Sequence, residues 1–194
     1  MAAQHGALRI SGAVWLVLRL WLGYVWLQAG WGKVFGDKAA GWVGNKAGVA
    51  VTGFLKGALE RATGENPQVP PWYADFVQEV ALPNAQFFSY MVAYGEVLVG
   101  IALIVGLVTN FAAFMGIMMN LSYLFAGSIS KNPQMLLAEA ALVFAGLAAG
   151  YYGIDRFLAP YLRKQLRWAR TPGRGRDTNR TSPTAGAARP GQHT

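Results

Sequence analysis

The stretch Tyr94-Gly95-Glu96-Val97-Leu98-Val99-Gly100-Ile101-Ala102-Leu103-Ile104-Val105-Gly106-Leu107 sets the terms for the whole chain. With its flanks it is long enough to cross a bilayer, and it carries one carboxylate near its middle. An acidic side chain at the centre of a membrane helix costs roughly 2.5 to 3.5 kcal/mol on an insertion scale. That cost must be offset, and Arg19, Lys33, Asn120 and Glu139 are the partners offered by other apolar stretches. Only 13% of the 194 residues are charged, against about 25% in an ordinary soluble domain. The apolar residues, 54% of the chain, arrive in long blocks, which decides for a membrane protein over a soluble core.

Residue types remove several chemistries. There is no cysteine, so this polypeptide offers no disulfide, thiolate metal site, persulfide relay or Cys-ligated iron–sulfur cluster. Its two histidines, His5 and His193, lie outside every apolar run and cannot form a bis-His haem site inside a membrane. No haem or metal is expected, and any redox group is organic or belongs to another subunit. The net charge of +8 resembles a nucleic-acid signal until it is located. From Arg156 onward nine basic residues stand against the single acid Asp177, and the rest of the chain balances. A basic tail after a hydrophobic segment marks a cytoplasmic end and contact with anionic lipid, not nucleic acid.

The chain divides into a short polar start at 1–13, a membrane domain at 14–160 and a basic, largely disordered cytoplasmic tail at 161–194. The fold class is all-α: a polytopic four-helix bundle with spans at about 14–34, 87–107, 111–127 and 134–153. Arg19 and the lack of a small-residue cleavage site argue that the first span is retained rather than a signal peptide. The connection at 35–86 is extracytoplasmic and contains short helices. One is marked by Val49, Val51, Phe54, Leu55, Ala58 and Leu59 at helical spacing, the other by Pro70-Pro71 before Trp72–Val80. The aromatics of the second suit a membrane interface, and the connection reads as a cap over the bundle or a lid over a site. Four spans put both termini in the cytoplasm and the protein in the plasma membrane.

Residues at i, i+4, i+7 and i+11 share a helix face. Arg19, Gly23, Trp26, Gly30 and Lys33 form such a stripe, as do Gly116, Asn120, Tyr123 and Gly127, and Glu139, Val143, Gly146, Gly150 and Gly153. Small residues let helices approach closely in lipid, and polar side chains turn to the bundle interior. One internal polar cluster is therefore expected. At 1.5 Å rise per residue, Arg19 lies roughly 7 Å from the cytoplasmic side, Asn120 and Glu96 about 15–16 Å, Glu139 about 21 Å and Lys33 about 28 Å. These depths predict Arg19 reaching Glu96 with Asn120 beside it, and Lys33 reaching Glu139. The pairs would either fix helix register or, with Trp26, Trp31, Tyr94 and Tyr123, line a ligand pocket.

Arg19-x3-Gly23 followed by Gln-Ala-Gly30-Trp-Gly-Lys33 resembles the opening of the DoxX/DoxD family. Glu96-x3-Gly100 with Val105-Gly106-Leu107-Val108-Thr109-Asn110 is similar to that family's second helix, which has a basic residue where this chain has Asn110. The fourth helix is matched by Ala138–Asp155, ending Gly150-x2-Gly153-Ile-Asp155. The long connection with Pro-Trp-Tyr and Leu-Pro-Asn looks more like the DoxD type, the thiosulfate:quinone oxidoreductase subunit. The resemblance covers about residues 8–160. It implies a four-helix membrane redox subunit that passes electrons from a small sulfur oxyanion to membrane quinone, a diffusible acceptor. Arg19 and Lys33 would then attract the oxyanion. Glu96 would handle protons for a quinone near Trp26 or Tyr123, with Glu139 and Asn120 completing the substrate site.

Two other readings fit the same residues. A non-catalytic scaffold of a redox or stress-response complex needs only a partner surface, and a small-solute transporter ranks third for want of an internal repeat. The partners compatible with these readings are the lipid bilayer, a membrane or peripheral redox subunit, and a second copy of the chain.

Overall fold

The structure, a computed structural model, describes residues 2–150 and 152–157. The tail expected at 161–194 lies outside them. The described residues are helical, with no strand among them.

Helix α1, Ala2–Val34, runs through the segment read as a polar start and continues as one 33-residue helix. The connection then folds into α2 (Ala39–Trp42), α3 (Val49–Arg61) and α4 (Pro71–Phe76), with a π-helical turn at Val77–Ala81. The last three helices are α5 (Ala85–Val105), α6 (Thr109–Phe125) and α7 (Asn132–Ala145), followed by a 3-10 turn at Gly146–Ala148. The stops follow from the sequence. Gly106 ends α5 in the left-handed region at φ 71° and donates to the Ala102 carbonyl. Gly146, at φ 58°, ends α7.

Helices α1, α5, α6 and α7 pack as a closed ring, α1 against α5, α5 against α6, α6 against α7 and α7 against α1. Leu22, Trp26, Leu103, Ala113, Met135 and Leu142 fill its centre. The α1–α5 contact is the closest. A Cβ on Gly100 would stand 2.6 Å from the Leu27 backbone nitrogen, and one on Gly30 2.7 Å from that of Val97. Backbone cannot yield to a side chain there, so the glycines of the stripe set the interhelical distance and the register.

The connection forms a second core, with Val51, Leu55, Ala58, Tyr73 and Val77 packed over Ala85 and Ala126 at one end of the bundle. Polar ties fix it there. Arg61 donates to the Ala126 carbonyl through Nε at 3.1 Å and Nη2 at 3.0 Å, the Tyr73 hydroxyl donates to Ser122 O at 2.8 Å, and Ser89 Oγ to Trp42 O at 2.6 Å. The connection is thus a built cap, with both expected short helices present.

One expectation changes. The fourth helix ends at Ala145 and not near residue 153, because Gly146 turns the chain, and Ala149, Tyr152 and Asp155 lie against the end of the bundle. By length and apolarity alone, only Gly12–Val34 and Ala85–Val105 qualify as membrane spans among the described residues. Helices α6 and α7 are shorter, at 17 and 14 residues.

Candidate functional site

The polar residues inside the bundle gather at three levels. At the level beneath the cap, Lys33 on α1 and Glu96 on α5 form an ion pair, with Nζ 2.5 Å from Oε1 and 2.6 Å from Oε2. The Tyr123 hydroxyl on α6 donates to the same Oε1 at 2.6 Å. The Lys33 ammonium also lies 4.6 Å from the centre of the Trp42 ring in the cap, a cation–π distance. Phe54 of α3 meets the edge of Tyr123 at 6.0 Å. Three bundle helices and two cap helices therefore converge on one group around the Glu96 carboxylate. Glu96 is fully buried, and Lys33 is the partly exposed member of the group.

One turn further in on α6, Asn120 serves a second carboxylate. Its Nδ2 donates to Glu139 Oε2 at 2.8 Å, and the Trp26 indole donates to Oε1 at 2.7 Å. All three are buried. The carboxylate presses against α6 where it lacks a side chain, since a Cβ on Gly116 would collide with Glu139 Oε1. Asn120 Oδ1 has no hydrogen-bond partner among the described residues. Tyr123 and Asn120 are thus neighbours on one face of α6, each holding a different carboxylate.

Arg19 closes the opposite end. Its guanidinium donates to Ala149 O at 3.3 Å and Tyr152 O at 2.9 Å. It packs against Gly106 and Gly153, where added Cβ atoms would overlap it. Asp155 stands in the same corner. Its carboxylate accepts from the backbone nitrogens of Val108 at 2.6 Å and Thr109 at 2.8 Å, so it caps the start of α6.

The structure brings together most of the residues singled out in the sequence but exchanges their partners. Lys33 pairs with Glu96, not with Glu139, and Arg19 touches neither carboxylate. The α1–α5 register is the reason. Gly30 against Val97 puts Lys33 level with Glu96 and puts Arg19 beside Gly106. Glu96 and Gly106 are about 15 Å apart along α5, beyond an arginine's reach. The early end of α7 supplies the second reason, because it frees the carbonyls of Ala149 and Tyr152 for Arg19. Trp31 and Tyr94 are exposed and face away from the cluster. A surface cleft of about 300 Å³, lined by Gly48, Thr52, Leu82 and Gln86 among others, holds none of these side chains.

Sequence reasoning missed Trp42, Phe54 and the capping role of Asp155. The first two sit in the connection, whose folding over Lys33 has no periodic signal. Asp155 caps a helix that begins 46 residues before it, and a cap is legible only when it directly precedes its helix.

No curated protein and no solved structure matches the chain. Residues 14–129, from α1 through the end of α6, match the DoxX family. They contain the Gly23, Gly30 and Gly100 contacts and the whole Lys33–Glu96–Tyr123 group, while Glu139 and Asp155 lie beyond them. The chain is a membrane protein of the DoxX family.

Proposed function

We propose that this DoxX protein crosses the plasma membrane four times, with both termini cytoplasmic, and works as a quinone-linked redox subunit. The exposed faces of the two shorter helices support four crossings. Phe111, Phe114 and Met118 on α6, and Leu137 and Phe144 on α7, are exposed large apolar side chains, Phe144 by 90%. They continue the apolar belt of α1 and α5 around the ring. Helices of about 25 Å (α6) and about 21 Å (α7) are accommodated by local thinning of the bilayer. The basic tail sets the orientation.

The observation that carries the redox reading is the meeting of a carboxylate, an ammonium and a phenol at Glu96, Lys33 and Tyr123 beneath the aromatic rings of Trp42 and Phe54. A quinone presents a flat apolar ring and two carbonyl oxygens that accept two electrons and two protons. The aromatic rings suit the ring, and the two donors suit the oxygens. In this reading Tyr123 and Lys33 donate the protons, and Glu96 orients both and returns protons to them. The electron donor is a small sulfur oxyanion such as thiosulfate: two molecules join through a new sulfur–sulfur bond to give tetrathionate, and the two electrons released reduce the quinone. Lys33, reached through the cap, attracts the anion. Arg19, its Nη1 and Nη2 engaged by carbonyls, acts as a positioning residue.

A second reading, a non-catalytic scaffold for a redox partner, is favoured by the internal satisfaction of both carboxylates, Glu96 by Lys33 and Tyr123 and Glu139 by Trp26 and Asn120. The experiment follows quinone reduction by the purified protein with and without thiosulfate, beside Glu96→Gln and Tyr123→Phe. Thiosulfate-dependent reduction that falls at least tenfold in both variants, with thermal stability retained, supports the enzyme. A folded wild-type protein without turnover overturns it and leaves the scaffold.

A further inference from the structure

The surface of the cap is divided in a way that its burial pattern alone does not require. Along α4 and the π-helical turn that continues it, Tyr73, Val77 and Ala81 face the core. With about 100° per residue in α4 and a smaller step in the wider π-helical turn, the remaining positions fall on two flanks. One flank carries Trp72, Phe76 and Val80, exposed by 57%, 38% and 42%. The other carries the exposed Asp75, Gln78 and Glu79. A water-covered cap has no use for three large apolar side chains in a row on one side and only polar ones on the other.

The apolar flank is continuous with the outer face of the bundle. Trp72 stacks edge-on against Phe125 at the end of α6, with ring centres 5.0 Å apart. Phe76 meets Phe88 in the first turn of α5 at 6.1 Å, and Phe88 touches the exposed Phe87 at 5.6 Å. From there the exposed stripe runs down α5 through Met91, Tyr94, Leu98, Ile101 and Val105. The level of α4 also follows from length. The 21 residues of α5 span about 31 Å, close to the roughly 30 Å of a hydrocarbon core. A helix resting on the first turn of α5 therefore lies at the boundary between acyl chains and headgroups, where tryptophan is favoured.

We infer that α4 and its π-helical turn dock on the bilayer as an interfacial segment, with the Trp72–Phe76–Val80 flank immersed at the acyl–headgroup boundary and the Asp75–Gln78–Glu79 flank in water. The occupant of the exposed flank is lipid, on the grounds of its continuity with the lipid-facing stripe of α5. The inference rests on the membrane placement above and deepens it. Trp72 and Phe125 then form the membrane-side wall of the cap, with Phe125 two residues along α6 from Tyr123. The side on which a quinone approaches the Lys33–Glu96–Tyr123 group is the lipid side, between the α4 flank and the α5–α6 face. The opposite flank remains open to a water-borne reactant.

Because the chain has no cysteine, single cysteines can be introduced and spin-labelled without removing any background thiol. The full-length protein in phospholipid vesicles would carry one label at position 76, 80, 75, 79 or, as a reference in the middle of α5, 98. Accessibility to oxygen, which concentrates in acyl chains, is compared with accessibility to a water-soluble nickel chelate. The expected result is oxygen preference at 76, 80 and 98 and at least fivefold greater nickel accessibility at 75 and 79. Nickel accessibility at 76 and 80 equal to that at 75 and 79, with 98 still in lipid, overturns the docking of α4 and leaves the membrane placement standing. A label at 98 in water overturns the placement itself. Val80 makes no ring contact, so Val80→Cys reports even where Phe76→Cys disturbs the cap. Quenching by brominated lipids, compared between the wild type and Trp72→Phe, gives a reading without any label. A smaller quenched fraction in the variant is expected, the exposed Trp21 and Trp31 of α1 supplying the remainder, and unchanged quenching counts against the inference.

Discussion

Removing Lys33 and removing Glu96 are predicted to have unequal and strongly coupled consequences. In Lys33→Met the Glu96 side chain, 2% exposed, keeps the Tyr123 hydroxyl as its one donor among the described residues. Leaving one charge of a buried pair uncompensated costs about 3–5 kcal/mol, and the 17% exposure of Lys33 places this pair at the lower end, about 3 kcal/mol. In Glu96→Leu the stranded ammonium can turn toward water or stay over Trp42, so the main loss is the acceptor for Tyr123, about 1–3 kcal/mol for an unsatisfied buried group. The double variant Lys33→Met/Glu96→Leu keeps that same single defect and gains no other. It should be no less stable than Glu96→Leu alone. The coupling is then about 3 kcal/mol, roughly a hundredfold in the folded-to-unfolded ratio. Equilibrium unfolding in mixed micelles, followed by tryptophan fluorescence, measures all four proteins. If the two single losses add within about 0.5 kcal/mol, the pair is not an interacting buried unit and the reasoning fails.

Two further outcomes follow from the packing. Gly100→Ala places a methyl group 2.6 Å from the Leu27 nitrogen. It should destabilise the protein by about 1–3 kcal/mol and widen the α1–α5 spacing measured between paired spin labels. A variant as stable as wild type would show that the glycines do not set that distance. Tyr73 gives a pH signature outside the membrane: burial holds its phenol above the ordinary value of 10.0, with its hydrogen bond to Ser122 opposing. Its contribution is complete below pH 10.0 and is lost as pH rises through the folded-state value, because the unfolded chain gives up the proton first. Thermal unfolding on both sides of that pH should show a weaker alkaline loss in Tyr73→Phe than in wild type, and equal losses would refute the assignment.

The features of this bundle that were legible in the sequence are those set by local periodicity. The stripes of Gly23, Gly30 and Lys33 and of Gly116, Asn120 and Tyr123 put the right side chains on inward faces. The two helices of the cap also stood near their expected places. Pairing was not legible, because it depends on how far one helix slides along another. Here that slide is decided by glycines so close to the facing backbone that an added Cβ would stand under 3 Å from it, which no depth estimate from helix ends can resolve. The fate of Arg19 was hidden for a different reason. Its acceptors are carbonyls of a turn, and they exist only because α7 stops at a glycine that could equally have continued the helix in the apolar pattern. Trp42 and Phe54 reach the site through the tertiary fold of a connection whose own sequence gives no hint of what it covers.

The corner held by Asp155 also has a bearing on the order in which the molecule can be completed during synthesis. The backbone nitrogens at the start of α6 receive their acceptor from a residue made 46 positions later. Arg19 receives its carbonyls from a turn 130 positions away, and the indole of Trp26 waits for a carboxylate 113 positions on. When α6 has emerged from the ribosome, therefore, three helices can assemble while a guanidinium, an indole, an amide and a helix start are all without their final partners. The last stretch of the described chain settles all four at once. A chain halted near residue 129 would hold the whole Lys33–Glu96–Tyr123 group in a bundle that cannot close, a state that membrane quality control could distinguish from the finished protein by its unmatched polar groups alone.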